Sequence, residues 1–318
     1  MATTERSSPS ITAADLHRIS EAEALALVER LLGDESQWPS PLIKYRFKSE
    51  WQRDWKAELG HWLHTAGTFG FQGQLVDRVL GRARRGSRST TVDPNDQRHL
   101  DLQSEMAPAM VVHYLTGTGW AYRQWEAVTG GNGDVDVEFA APGGVVINTQ
   151  VKAPDQPGSR AGGRVVDGEY DDRVLTALRK AAGQLLPFGE ATNVIVICAR
   201  RGWPLSGEPE PLVGYLYGST LCDRTGRVWL PHAERGWFFT PWWRHIGAVV
   251  VLDYVRGVGN LTYGCVVLVN PMADHGVTPG WFPHAHACFL DGNVFRWQNG
   301  EPAGHGHTAL PEGTLLDA

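Results

Sequence analysis

The 318-residue chain is 42% hydrophobic and 20% charged, with a formal net charge of −6 and four cysteines. Such a balance belongs to a globular protein with ample core and excludes a chain coated in basic surface, while leaving room for a local basic groove. The cysteines (Cys198, Cys222, Cys265, Cys288) form no CxxC pair and three lie in apolar runs, which argues against a disulfide framework or a zinc ribbon and fits a reducing cytoplasm.

The N-terminal MATTERSSPS lacks the apolar centre of a targeting signal. The strongest apolar run, IGAVVVL at 246–252, is too short to cross a bilayer, so no membrane association and a cytoplasmic location are expected. From Thr12 to Leu32, Leu16, Ile19, Leu25, Val28 and Leu32 recur at helical spacing and predict a helix that Gly33 ends. The segment 38–80 also has a helical pattern, rich in Trp51, Trp55 and Trp62 and broken near Gly67–Gly70. Residues 1–90 therefore read as an all-helical N-terminal region. Its last part, GRARRGSR at 81–88, is a solvated loop by default and a phosphate contact through Arg84 and Arg85 in the sharper reading.

A core region is expected over 91–273. Asp93 before Pro94 predicts a helix start, with the helix running to about Leu115, stopping at Gly117, and kinked or restarted near Ser104 by Pro108. A hairpin over 134–152 follows, then a Gly-rich loop at 157–168, a helix over 171–186 and a buried strand NVIVICA at 193–199. That order, helix, strand, strand, helix, strand, gives an α/β core. Beyond Arg201 the chain is turn-rich and aromatic, and strands are predicted at 247–255 and 263–271, either as a separate domain or as a continuation of the sheet. Residues 274–318 read as a β- and loop-rich C-terminal extension. His275, His284, His286, Cys288, His305 and His307, with Cys265, are zinc-ligand types in no standard spacing, and satisfied or exposed histidines are the default reading. Trp242 and Trp243 suggest core packing before base stacking.

The chemistry concentrates in GDVDVEFAAPGGVVINTQVKA at 133–153. Side chains alternate along a strand, so Asp134, Asp136 and Glu138 share one face, and Asn148, Gln150 and Lys152 share a face of the next strand. Pro142, Gly143 and Gly144 supply the reversal. Where the two polar faces coincide, a carboxylate, an amide oxygen and an ammonium converge. Hard divalent cations such as Mg2+ or Mn2+ take such oxygens, and a nearby lysine can serve a nucleophile.

With Glu105 on the preceding helix, Asp136 or Asp134 on a strand and Gln150-Val151-Lys152 on the next, the stretch 94–200 resembles the PD-(D/E)XK nuclease superfamily. The QxK form is similar to Mrr-type restriction endonucleases. The resemblance implies a restriction-endonuclease-like fold, a central mixed sheet flanked by helices, and Mg2+- or Mn2+-dependent hydrolysis of DNA in restriction or defence, with partner proteins of a defence system. It implies Asp136 as metal ligand with Asp134 as the alternative, Gln150 as an oxygen ligand, Lys152 serving the nucleophile and Glu105 near the metal. Lys180 and Gln184, on the polar face of the following helix with Arg173 and Ala177, would meet nucleic acid or support the site. Two departures stand out: no proline precedes either aspartate, and Gln150 is neutral where an acid is usual. The alternative is an inactive protein of the same fold that binds nucleic acid or a partner protein.

Overall fold

Residues 11–12, 19–33, 50–84, 97–128, 133–154, 169–198, 209–218, 221–222, 228–229, 236–257, 260–291 and 294–299 are described by the computed structural model. In chain order they form β1 (Ile11–Thr12), α1 (Glu21–Leu32), α2 (Glu50–Thr68), α3 (Gln72–Arg84), α4 (Gln97–Gly117), β2 (Ala121–Val128), β3 (Val135–Ala140), β4 (Val146–Lys152), α5 (Glu169–Leu185), β5 (Thr192–Cys198), α6 (Glu210–Tyr217), β6 (Leu221–Cys222), β7 (Val228–Trp229), β8 (Ala248–Gly257), β9 (Asn260–Val269), β10 (His286–Asp291) and β11 (Val294–Gln298).

Nine strands make one mixed sheet in the order β11-β10-β9-β8-β5-β4-β3-β2, with β1 paired to β9, while β6 and β7 form a separate ribbon. The β4–β5, β5–β8 and β9–β10 pairs are parallel and the others antiparallel. β5 is buried along its whole length at the middle of the sheet, as its unbroken apolar run requires. One face carries a core built from Leu27, Leu63, Leu75 and Met110 of α1–α4 against Val137, Ile147 and Val194. The other packs Leu178 of α5 and Leu216 of α6 against Ile195 and Val249. Each such side chain, fully buried, contributes on the order of 1.5–3 kcal/mol.

Several elements differ from the sequence reading. The helix expected from Thr12 begins at Glu21, because Ser20 and Glu23 form a reciprocal capping box that satisfies the first-turn donors. Thr12 belongs instead to β1, opposite Thr262 of β9. β2 was not anticipated: its sequence AYRQWEAV buries only Trp125, since it is an edge strand with polar residues outward. α4 runs continuously through Pro108. Its expected start at Asp93–Pro94 lies outside the described residues, as does the Gly-rich loop at 157–168. β10 and β11 extend the same sheet, so it crosses the boundary expected at 273, and α1–α3 share their core with the sheet across the one expected at 90.

The aromatic residues at 237–243 pack on the α5 face. Phe238 and Trp243 are buried there, with Trp237 stacked on Trp243 at 5.0 Å, and Trp242 remains partly exposed.

Candidate active site

The site is built where β3 and β4 part. Their ladder pairs Ala140 with Val146 and continues to Val137 with Thr149. Beyond that point Gln150, Val151 and Lys152 stay paired only with β5. The Val151 N–H at this fork is left without a backbone acceptor on β3, and Asp136 supplies one: its Oδ2 accepts from Val151 N at 2.7 Å and from Gln150 Nε2 at 2.8 Å. Asp136 and Gln150 are therefore in contact, as the shared polar face predicted.

The same contact leaves Gln150 Oε1 buried with no hydrogen-bond partner. A buried acceptor without a donor costs about 1–3 kcal/mol, and such a group calls for a water or an ion. Gln150 is 1% exposed, which rules out bulk solvent as that partner.

Asp134 sits differently. Its Oδ2 accepts from Gln184 Nε2 at 2.9 Å and its backbone N–H donates to Gln184 O at 3.1 Å, so α5 grips the start of β3 at two points. Gly133 lets this approach happen, since a Cβ there would lie 2.6 Å from the Phe188 ring. Val135, beside the clamp, packs in the α5-side core rather than with Val137 and Phe139. The fork thus distinguishes the two aspartates: Asp136 faces Gln150, and Asp134 faces Gln184. Glu138, expected on the same face, ion-pairs with Arg123 of β2 at 2.7 Å and does not line the cleft.

The fork opens into a cleft of about 830 Å3. Asp134, Asp136, Gln150 and Lys152 line it together with Glu105 of α4, and Arg173, Lys180 and Gln184 of α5 form one wall. Ser104 and Pro108 of α4 also border it. Arg84 ends α3, and Arg85 lies outside the described residues.

Electrostatics follow from burial. Burial raises the Asp136 carboxyl above its ordinary value, against the pull of Lys152 and the Val151 N–H, and Asp134 pushes it further up. Burial lowers the Lys152 ammonium from its ordinary value, with Asp136 opposing and Lys180 reinforcing that shift. The two groups thus resist charge separately and support it in each other.

The donor set fits a hard divalent cation: the Asp136 carboxylate, the unpartnered oxygen of Gln150 and the Glu105 carboxylate on the same cleft. It is a low-charge set, since among the described residues no three His, Cys, Asp or Glu side chains come together to hold an ion. Among the described residues the zinc-ligand types of the C-terminal part form no such group. Cys288 and Cys265 are buried, the latter with its thiol pushed up to about 12 by burial, and His284 is exposed. His305 and His307 lie outside the described residues.

One charged cleft residue among the described residues escaped the sequence reading. Arg78 of α3 reaches the cleft from the N-terminal helical layer, and its helix pattern marks it only as a polar position. No family model matches the chain, and no curated protein or solved structure matches it either. No helix among the described residues is long and apolar enough to cross a membrane.

Proposed function

We propose that the chain is a Mg2+- or Mn2+-dependent nuclease that hydrolyses DNA phosphodiester bonds, with a restriction-endonuclease-like core and a role in defence against foreign DNA. The observation that carries this reading is the fork itself. Asp136, Gln150 and Lys152 converge on one cleft, with a buried carboxamide oxygen left for a cation. Support also comes from the order α4, β2, β3, β4, α5, β5, which contains the helix, strand, strand, helix, strand order of the resemblance with one further strand, β2, ahead of β3.

In this mechanism Asp136 and Gln150 would hold the cation and Glu105 would help position it. When bound, the ion acidifies a water and offsets the charge that builds on the phosphate. Lys152, in the neutral amine form that burial favours, would orient the attacking water and take its proton at Nζ as the new P–O bond forms, while the P–O bond to the leaving sugar oxygen breaks and that oxygen takes a proton from solvent. Arg173 and Lys180 along α5 give the phosphate backbone a cationic wall. Gln184 supports the site by holding Asp134.

The test is nicking of supercoiled plasmid with Mg2+ or Mn2+, compared with Asp136→Asn and Lys152→Ala. Cleavage that both variants abolish supports the reading. A second reading, a fold that binds nucleic acid or a partner protein without cutting, draws on the Gln150 Nε2–Asp136 bond, which satisfies the carboxylate internally. Retained DNA binding with no cleavage of any DNA form in either metal would establish it.

A further inference from the structure

Among the described residues, Arg78 is the one cleft residue contributed by the layer α1–α3. Its guanidinium ion-pairs with Glu126 of β2 through Nη2, lies 3.8 Å from Glu105 Oε2 through Nη1, and sits 5.9 Å from the centre of the Trp125 ring. Trp125 is stacked by Phe71, the residue immediately before α3, at 4.3 Å. The tryptophan is thus held by Phe71 at the entry to α3 and by Arg78 within it. The arginine is held from three directions.

The backbone under Glu126 is unusual. Opposite β3, Trp125 faces Val137 and Val128 faces Val135, so β2 spends three residues where β3 spends two. The extra residue falls in this stretch, and Glu126 has φ +46°. A left-handed conformation at a residue with a Cβ costs about 1–3 kcal/mol and persists where surrounding contacts impose it. Here the contact is the ion pair to Arg78.

From this geometry we infer that Arg78 is a positioning residue: it fixes the Glu105 carboxylate at the cation seat, and Glu126 in its bulge anchors Arg78. The inference rests on reading Asp136 and Gln150 as that seat. A planar, two-pronged guanidinium can span two carboxylates on different elements, which a lysine ammonium cannot do with the same direction. The helical N-terminal layer thereby becomes part of the site's construction.

Charge and position predict opposite signs, which makes the role measurable. By charge alone, removing a cation beside a cation seat tightens metal binding. If Arg78 positions Glu105, its removal weakens binding. The experiment is titration of the full chain with Mn2+ in the absence of DNA, reading free Mn2+ by electron paramagnetic resonance, with thermal melts of every variant. Arg78→Met and Arg78→Lys are expected to lower Mn2+ affinity by about 10–100-fold, the usual cost of losing a residue that orients a metal ligand. Glu126→Gln, which keeps shape and removes the anchor, should fall toward the lower end of that range. Unchanged or tighter binding in a folded Arg78→Met protein overturns the inference, and so does unchanged binding in a folded Glu126→Gln protein if Arg78→Met cannot be obtained. Asp136→Asn separates the two levels. If it alone abolishes binding, the seat stands and the role of Arg78 falls; if it changes nothing, the seat falls and this inference with it.

Discussion

Asp136–Gln150 and Asp134–Gln184 are the same chemical pair set down twice, the aspartates two residues apart, one on β3 and one just ahead of it. Each glutamine donates through Nε2 to an aspartate, and each keeps a buried Oε1 with no partner. Their backbones differ. Gln150 stands on a strand that has just left its neighbour, so its aspartate also takes a backbone N–H and lies beside Lys152. Gln184 ends a helix and returns its own carbonyl to Asp134, which makes the pair a strut between α5 and β3. The surrounding main chain decides whether a carboxylate braces the fold or stands ready for chemistry.

The largest expected effect breaks the pairs apart by function. Asp136→Asn should abolish plasmid cleavage while the melting temperature stays the same or rises, because a buried charge is removed. Lys152→Ala should lower the cleavage rate by about 10²–10⁴-fold, the usual worth of a proton-transferring group. Asp134→Asn, by contrast, should cost cleavage only about 10-fold, as for a group that supports a site without entering it.

Stability should order the pairs the other way. Asp134→Ala or Gln184→Ala removes the strut and leaves a buried polar group unpaired, with an expected loss of about 1–3 kcal/mol in urea unfolding. The double variant should lose less than the sum of the two. Gly133→Ala forces a methyl into the Phe188 ring and should cost about 1–3 kcal/mol while cleavage by the folded fraction persists.

The smallest effect is in pH. Asp136 carries a carboxyl pKa raised above its unfolded value. Its ionised form therefore penalises the fold at neutral pH, and the penalty is relieved as pH falls through the raised folded value toward 3.8. The melting-temperature gap between Asp136→Asn and the parent protein should narrow as pH is lowered through that window. A gap independent of pH would show that the Asp136 charge is not buried as described.

Much of this site was legible in the sequence because strand alternation is a local rule. Asp136, Gln150 and Lys152 lie on two strands joined by a Pro-Gly-Gly turn, and period two was enough to bring them together. Lys180 and Gln184 followed from helical spacing in the same way. What the pattern could not separate was Asp134 from Asp136, since the fork depends on where the β3–β4 ladder ends, and that is a matter of pairing with β5. β2 was illegible because an edge strand with one buried side chain has no hydrophobic alternation to read. Arg78 and Glu126 were illegible for a different reason: their meeting depends on the packing of α3 against an irregular strand some fifty residues away. β1 and the late strands β10 and β11 joined the sheet through long-range pairing, which composition does not encode.

β9 reaches back to the beginning of the chain. It pairs with β1, and Tyr263 donates its hydroxyl hydrogen to Glu58 Oε2 at 2.9 Å while accepting from Trp62 Nε1 at 2.9 Å, both on α2. These contacts bridge more than 200 residues of sequence. During synthesis α2 emerges long before β9, so its contacts to Tyr263 form only after β9 has left the ribosome, and closing so long a loop makes this a late step of folding. Arg78 of α3 meets Trp125 and Glu126 of β2 well before that. A nascent chain halted before residue 260 therefore carries every residue that lines the cleft and lacks the tie that joins α2 to the far side of the sheet.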